Sequence, residues 1–235
     1  MTSLKRGRDD DPSTPTVSST PPDPVFTDHH IRNDHISIKV TLGQDQVFPE
    51  KPRFWSTPGG NYFEACEGQH LCLTLGLVGS QQCYIELHAG GGPTGANAYL
   101  FQKGETVQLW FFRTDVKTIT PIVIGRPLLD IPSPAGSVSG FEEMCAIQVH
   151  CWLVGPTEPV ESYVLTCRPQ PSADPKLTKY ATQDQGFQLQ GTSGQTIHTP
   201  PPAALIAFWR RTHVDPVITC LQAKSRHQLE NLGLL

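Results

Sequence analysis

The chain has 235 residues, a length that suits one large β domain or two small ones and allows a substantial core in either case. Charged residues make up only 17% of the chain, and 22 Pro with 20 Gly favour short strands and many turns over long helices. The formal net charge of −4 gives no general basic field, so nucleic-acid binding would need a local basic patch.

The first 34 residues are rich in Pro, Ser, Thr and Asp and show almost no apolar periodicity, which predicts a disordered arm over residues 1–34. Within this arm, Val25 and Phe26 are expected to form a small docking point on the body or on a neighbouring subunit. Basic residues near its start suit a nuclear-import signal or a nucleic-acid contact, although the Asp residues that follow favour a solvated, neutralised tail. These basic residues are Lys5, Arg6 and Arg8.

The sequence shows no pattern typical of secretion or membrane insertion. Residues 1–11 lack the apolar segment of a signal peptide, and no run approaches the ~18 apolar residues of a membrane span. The seven Cys are an odd number, most of them lie in apolar strand patterns, and no Asn-x-Ser/Thr sequon is present. We therefore expect a soluble, non-secreted protein with reduced thiols, located in the nucleus or cytoplasm or in a virion.

The folded body is predicted to begin at His35, because apolar and polar residues start to alternate there. Residues 71–78 and 81–89 are two further strands, and the Gly79-Ser80 pair between them predicts a β-hairpin. The glycine-rich segment 90–95 predicts the most flexible loop of the body.

Three short apolar runs follow at residues 98–102, 106–113 and 117–125, with the ~8–12-residue spacing of sandwiches and barrels. Pro121 inside the third run predicts an edge strand or a bulge, since proline cannot donate to a ladder. Residues 126–139 contain Pro and Gly and are expected to form a long crossover.

Residues 144–154 (MCAIQVHCWLV) give the longest uninterrupted strand signal, and the rest of the body is expected to pack against them. Alternation places an entirely apolar set of side chains on one face and a mixed set on the other. The mixed face is too polar for an ordinary buried layer, so it predicts a subunit contact or a buried polar network. The side chains expected at that contact are Gln148, His150 and Trp152.

Beyond this strand the pattern is weaker. Residues 186–190 and 195–198 are weak strand candidates, and residues 203–211 fit either a helix or a strand. Residues 214–221 predict a last strand, and residues 223–232 form the one plausible amphipathic helix.

These segments together predict an all-β fold, a two-sheet β-sandwich of jelly-roll or immunoglobulin-like kind over residues 35–222. The disordered arm (1–34) precedes it, and a short C-terminal helix and tail (223–235) follows. This organisation is similar in outline to small viral capsid or virion proteins, in which a disordered arm precedes a compact sandwich with long loops. The similarity concerns organisation alone, so it assigns no site.

Two groups of Cys and His have the residue types of a zinc site, but neither contains the tight CxxC or HxxxH knuckle. In the second group, strand alternation separates the histidine from both cysteines, which favours core cysteines over a metal site. We therefore expect no metal ion and no other cofactor. The groups are Cys66, His70 and Cys72, and Cys145, His150 and Cys151.

The sequence also offers no catalytic constellation. Residues 89–96 are glycine-rich but lack the Lys-Ser/Thr that closes a phosphate-binding loop. No Gly-x-Ser-x-Gly elbow is present, and the cysteines fall on apolar strand faces where burial raises a thiol pKa. We therefore expect a protein that is not an enzyme.

The first functional hypothesis is a non-catalytic structural or interaction protein that self-associates as a homo-oligomer, with a capsid as one such assembly. The alternative is a nuclear nucleic-acid-binding regulator that uses basic residues near two aromatics, although a solvated polar face is the favoured reading of those residues. An enzyme with a pocket near residues 90–95 and His88 has only composition in its favour. The basic residues are Arg210, Arg211, Lys224 and Arg226, together with Lys5, Arg6 and Arg8 of the arm.

Overall fold

The computed structural model describes residues 25–26, 30–90, 92–113, 115, 117–126, 145–154, 187–192, 196–198 and 215–235. These residues form two β-sheets and one short helix, so the chain is mostly β, as predicted. The predicted crossover after Arg126 and the segment 203–211 lie outside the described residues. Within the described ranges, no helix has the length and apolar character that crossing a bilayer requires.

Sixteen strands and the helix follow one another along the described chain. In chain order they are β1 (Val25–Phe26), β2 (His30–Arg32), β3 (Ile36–Gln44), β4 (Val47–Glu50), β5 (Phe54–Thr57), β6 (Gly60–Glu64), β7 (His70–Leu77), β8 (Cys83–Ala89), β9 (Gly92–Leu100), β10 (Thr106–Leu109), β11 (Phe111–Arg113), β12 (Thr118–Gly125), β13 (Ala146–Leu153), β14 (Gln188–Gly191), β15 (Ile197–His198), β16 (Val217–Lys224) and α1 (Arg226–Asn231).

Seven strands form the first sheet, in the order β1-β5-β6-β16-β13-β8-β9. Neighbours are antiparallel except β16 and β6, which run parallel with Leu221 beside Asn61. The strand predicted over residues 144–154 is confirmed as β13, and it lies inside this sheet between β16 and β8. Its interior position explains why its apolar face is continuous, since both edges are paired and one face meets the core.

The second sheet has nine strands, built on the order β11-β12-β7-β3-β2. β10 also pairs with β7, β4 pairs with β3, and β14 and β15 pair with β12. β12 therefore has partners on both sides, so Pro121 does not mark an edge strand. Residues up to Pro121 pair with β11 and β15, whereas those from Ile122 onward pair with β14 and β7. Proline is accommodated because it lies where one set of partners gives way to the next.

Both sheets contribute to one hydrophobic core. Every second residue of β3 is buried in it, from Ile36 to Leu42, as the alternating pattern predicts. The apolar face of β13 is buried in the same core, where Ile147, Val149 and Cys151 are at most 1% exposed. The opposite faces of these strands are consequently left for other contacts.

The predicted hairpin across Gly79-Ser80 is wrong, because β7 and β8 belong to different sheets. The backbone N–H of Val78 donates to the carbonyl oxygen of His35 at 2.8 Å, which keeps the end of β7 beside β3. The N–H of Val154 donates to the carbonyl oxygen of Gln82 at 2.9 Å, which holds the start of β8 against β13. Each strand needs only one apolar face, and that local pattern is the same for paired strands and for strands in facing sheets.

Residues 92–95 of the predicted flexible loop belong to a strand instead. β9 already begins at Gly92, and its first residues pair with the end of β8, Ala89 with Gly92 and His88 with Pro93. Gly90 has a φ of 55°, in the left-handed region that glycine adopts readily, so the chain can reverse within very few residues. The polar residues of β8 are thereby brought beside those of β9.

The start of the folded body also differs from the prediction. β1 pairs with β5 and β2 pairs with β3, so the sheets include residues that precede His35. Val25 and Phe26 dock on the body as a short strand opposite Ser56 and Trp55, whereas residues 1–24 lie outside the described part of the chain. Strands of only two or three residues carry too little alternation to be recognised from sequence.

The predicted C-terminal helix is confirmed, with narrower bounds. Ala223 and Lys224 complete β16, and α1 then begins at Arg226 after the N-cap Ser225. The Ser225 hydroxyl accepts from the backbone N–H of Gln228 at 3.3 Å, and the Gln228 side chain accepts from the backbone N–H of Ser225 at 2.8 Å. This reciprocal capping box fixes the point where strand changes to helix.

Candidate interaction face on the seven-stranded sheet

In the seven-stranded sheet, the residues that alternate with the core residues form a second side, which combines aromatic rings with polar groups. We call it the outer face. It is centred on β8 and β13 and extends over one neighbouring strand on each side. Its members are Tyr84, Glu86 and His88 of β8, Gln148, His150 and Trp152 of β13, Asn97 and Tyr99 of β9, Phe101 just after β9, and Ile218 and Cys220 of β16.

The strand register sets these side chains in rows. Across β8 and β13, Trp152 lies opposite Tyr84 and His150 lies opposite Glu86. The third row pairs Gln148 with His88. Opposed residues of antiparallel strands have Cβ atoms about 4.5–5.5 Å apart, so each row brings its side chains into contact. The three side chains expected from the sequence at an interface therefore meet three partners from β8.

One part of the outer face is a hydrogen-bond chain that ends on a carboxylate. The side-chain amide of Asn97 donates to the Tyr84 hydroxyl at 3.0 Å, and that hydroxyl donates to Glu86 Oε1 at 2.8 Å. The other carboxylate oxygen, Oε2, lies 3.0 Å from Nε2 of His88. Since an ionised carboxylate only accepts, His88 Nε2 carries the hydrogen in this contact. Both oxygens of Glu86 are thus paired within the face.

The second part is a pair of stacked imidazoles. The rings of His88 and His150 lie 3.8 Å apart between centroids and are parallel to within 3°. His150 Nε2 lies 2.9 Å from Oε1 of Gln148, and because an amide oxygen only accepts, this nitrogen also carries its hydrogen. Each histidine is therefore oriented by an acceptor two residues away on its own strand, and the orientation makes the rings stack.

The environment of His150 holds the pKa of its imidazole below the ordinary value of 6.5. Burial is the largest cause, because it disfavours the charged ring, and the neighbouring His88 acts in the same direction. The Glu86 carboxylate opposes both effects and is the smallest of the three. His150 is consequently neutral at pH 7.

A row of aromatic rings adjoins the histidines. Tyr84 lies between Tyr99 and Trp152, with centroid distances of 4.7 and 5.8 Å, and His150 lies 5.6 Å from Trp152. Phe101 continues the row, parallel to Tyr99 within 3° at 5.7 Å. These distances fall in the range of favourable aromatic pairs, so the rings form a continuous surface across three strands.

The polar side chains at the centre of this surface are largely buried, because they contact one another. The side chains of His88 and Glu86 are only 17% and 16% exposed, and Tyr84 as a whole is 4% exposed. At the β16 side, in contrast, Ile218 is 49% exposed. The outer face therefore combines internally satisfied polar groups with exposed apolar surface at its margin.

The basic residues predicted to bind nucleic acid are not brought together by the described structure. Lys224 ends β16, and Arg226 begins α1 with its Nε 3.5 Å from Glu230 Oε1. That ion pair is largely exposed, with side chains 65% and 50% exposed, so it holds Arg226 only weakly. The remaining residues, Arg210, Arg211, Lys5, Arg6 and Arg8, lie outside the described part of the chain, and nucleic-acid binding stays a prediction.

The two Cys and His groups also separate in the structure. His150 lies on the outer face, whereas Cys151 lies in the core, as alternation predicts. Cys66 is exposed while His70 and Cys72 are buried. Among the residues that the structure describes, no three His, Cys, Asp or Glu side chains are placed to hold a metal ion.

Sequence reasoning missed the contribution of β8 and β9 to the outer face. Tyr84, Glu86 and His88 alternate with core residues, so their shared side was visible in the sequence. Their pairing with β13 was not visible, because the two strands are separated by more than fifty residues and no local signal sets their register.

Comparison of the chain with protein-family models, with curated proteins and with solved structures finds no match in any of the three.

Proposed function

We propose that this chain is a non-catalytic structural or interaction protein that self-associates, and that the outer face is the contact between copies. The observation that carries the proposal is the hydrogen-bond and ring network of β8, β9 and β13. Asn97, Tyr84, Glu86 and His88 are already paired with one another. A partner can therefore cover them without leaving buried polar groups unpaired, which is the main cost of covering a polar surface.

The composition of the face supports a protein partner. Aromatic residues are enriched at the centres of protein interfaces, where they are surrounded by side chains that exclude water. Trp152 and Tyr99 supply large rings at the centre, and Ile218 supplies exposed apolar area at the margin. Because the polar atoms are internally paired, few of them are left to hydrogen-bond a small polar ligand, which favours a flat protein contact over a ligand site.

A second copy of this chain is the partner that we propose. In a two-fold contact the same surface meets itself, so it must be self-complementary. The outer face meets this need with uncharged groups, the rings of Trp152 and Tyr99 and the exposed Ile218, because its carboxylate, Glu86, is already paired with His88. The net charge of −4 is too small to oppose association strongly. We further propose that the two sheets pack as a sandwich and that the assembly is a capsid-like shell, whether the sandwich is of jelly-roll or immunoglobulin-like kind.

Self-association is tested by sedimentation velocity over a concentration series at pH 7.5, with two matched variants. Ile218→Glu places a charge at the margin of the outer face, and Val47→Glu makes a comparable change at a residue that is 64% exposed on β4 of the other sheet. We expect the wild type and Val47→Glu to associate, and Ile218→Glu to remain monomeric with an unchanged circular dichroism spectrum. A wild-type chain that is monomeric at every concentration would overturn the proposal, as would equal association of the two variants.

A further inference from the structure

We propose that the stacked histidines His88 and His150 make the contact between copies sensitive to pH, so that acidification below neutrality separates the copies. This inference rests on the proposed function, because it describes the regulation of the same face.

The geometry limits how much charge the pair can hold. Nε2 of each ring already donates, His88 to Glu86 and His150 to Gln148, so a further proton on either ring must go to Nδ1. Two imidazolium rings would then lie parallel with centroids 3.8 Å apart. Like charges at such a distance repel strongly, and more so when water is excluded from around them.

Only one acidic group faces the pair from the described strands around it. β8 contributes Glu86 together with Tyr84, and β13 contributes the uncharged Gln148 and Trp152. β9 places Asn97 opposite Glu86 and Pro93 opposite His88. On the last side, β16 places Ile218 opposite His150 and Cys220 opposite Gln148, and burial raises the pKa of the Cys220 thiol, so this thiol stays neutral in acid. One carboxylate therefore faces two rings that can each gain a positive charge.

Association and protonation of His150 oppose each other. Burial already lowers the pKa of His150 from 6.5, and a second copy over the face would remove more water from the ring and lower it further. A histidine whose pKa is lower in the associated state than in the separated chain contributes fully to association at pH values above its pKa in the separated chain. That contribution is lost as the pH falls through the lowered pKa. The copies should therefore associate near pH 7.5 and separate in the range below 6.5.

The size of the effect follows from the number of protons linked to the contact. Each linked proton changes a dissociation constant by at most about tenfold per pH unit. A two-fold contact contains two copies of His150, so the limit for the dimer is about 100-fold per pH unit. We expect the dissociation constant to rise at least about tenfold between pH 7.5 and 5.5. This rise is well below the limit of about 100-fold for each of the two pH units.

The test measures dimer dissociation by sedimentation at pH 7.5, 6.5 and 5.5 and constant ionic strength. His150→Phe keeps a ring in the stack but cannot gain charge, so its dissociation constant should change less than about threefold over this range. His227→Phe is the matched control, because His227 lies on α1 with its side chain 72% exposed, away from the outer face. This control should dissociate in acid as the wild type does.

Each outcome bears on a distinct claim. A wild type that associates equally at all three pH values overturns the pH inference but leaves the proposed function intact, whereas a monomer at all three overturns the proposed function. Acid dissociation that persists in His150→Phe also overturns the inference. If His150→Phe does not associate at any pH, calorimetry of wild-type dilution in two buffers of different ionisation enthalpy decides. Proton uptake on dissociation supports the inference, and its absence contradicts it.

Discussion

Replacing Tyr84 by Phe removes one hydroxyl from the centre of the outer face while keeping the ring. That hydroxyl accepts from Asn97 and donates to Glu86, at 3.0 and 2.8 Å, and Tyr84 is only 4% exposed. A neutral hydrogen bond contributes about 1 kcal/mol and one to a charged group about 1.5–3 kcal/mol. Because the Glu86 side chain is 16% exposed, water can replace part of the loss, so we expect Tyr84→Phe to lower the free energy of unfolding by about 2–3 kcal/mol.

The measurement is urea-induced unfolding at pH 7.5, followed by tryptophan fluorescence, with thermal unfolding as a second readout. For a chain of this size the loss corresponds to a fall in Tm of roughly 4–12 °C. Tyr62→Phe is the matched control, because the Tyr62 hydroxyl donates to the carbonyl oxygen of Gly59 at 3.2 Å in an exposed contact. Its effect should stay below about 0.5 kcal/mol. If the two variants are equally stable, the network of the outer face does not contribute as described.

Three further outcomes follow from other parts of the fold. Gly43→Ala should destabilise the chain by more than about 2 kcal/mol in the same urea assay, because the added Cβ would collide with the backbone carbonyl of Val47. Gly92→Ala is the control and should be nearly neutral, because a Cβ at that position meets no atom within 4 Å. Ser225→Ala should cost about 1 kcal/mol through loss of the capping box of α1, and an unchanged unfolding midpoint would contradict that role. In thiol labelling with a disulfide reagent, the exposed Cys66 should react in the native state. The buried Cys72, whose pKa is raised by burial, should react only in urea, and prompt native reaction of Cys72 would refute its placement.

The alternation of β13 could be read from the sequence because the two faces of a strand are set by neighbouring residues. Ile147 and Val149 are buried, and Gln148 and His150 lie on the other side, as their positions predict. The same local information predicted a hairpin of β7 and β8, where it failed, because an apolar face does not specify which strand will pair with it.

Only some of the residues of the outer face could be predicted from the sequence. Gln148, His150 and Trp152 were expected at a contact because a polar face on a core strand requires an explanation. Their partners Glu86 and His88 depend on a register between strands that lie far apart in the chain. Such long-range pairing is decided by the packing of the whole sheet, for which the sequence carries no local signal.

The position of β16 bears on the timing of assembly during synthesis. It follows the other six strands of its sheet along the chain, yet it lies between β6 and β13 and separates β1-β5-β6 from β13-β8-β9. While the chain is being made, the described strands of this sheet therefore form two groups, and none of these strands pairs one group with the other until residues 217–224 have left the ribosome. Ile218 and Cys220 join the outer face at the same moment. A nascent chain thus lacks the margin through which we propose that it binds another copy, so association is delayed until synthesis has passed β16.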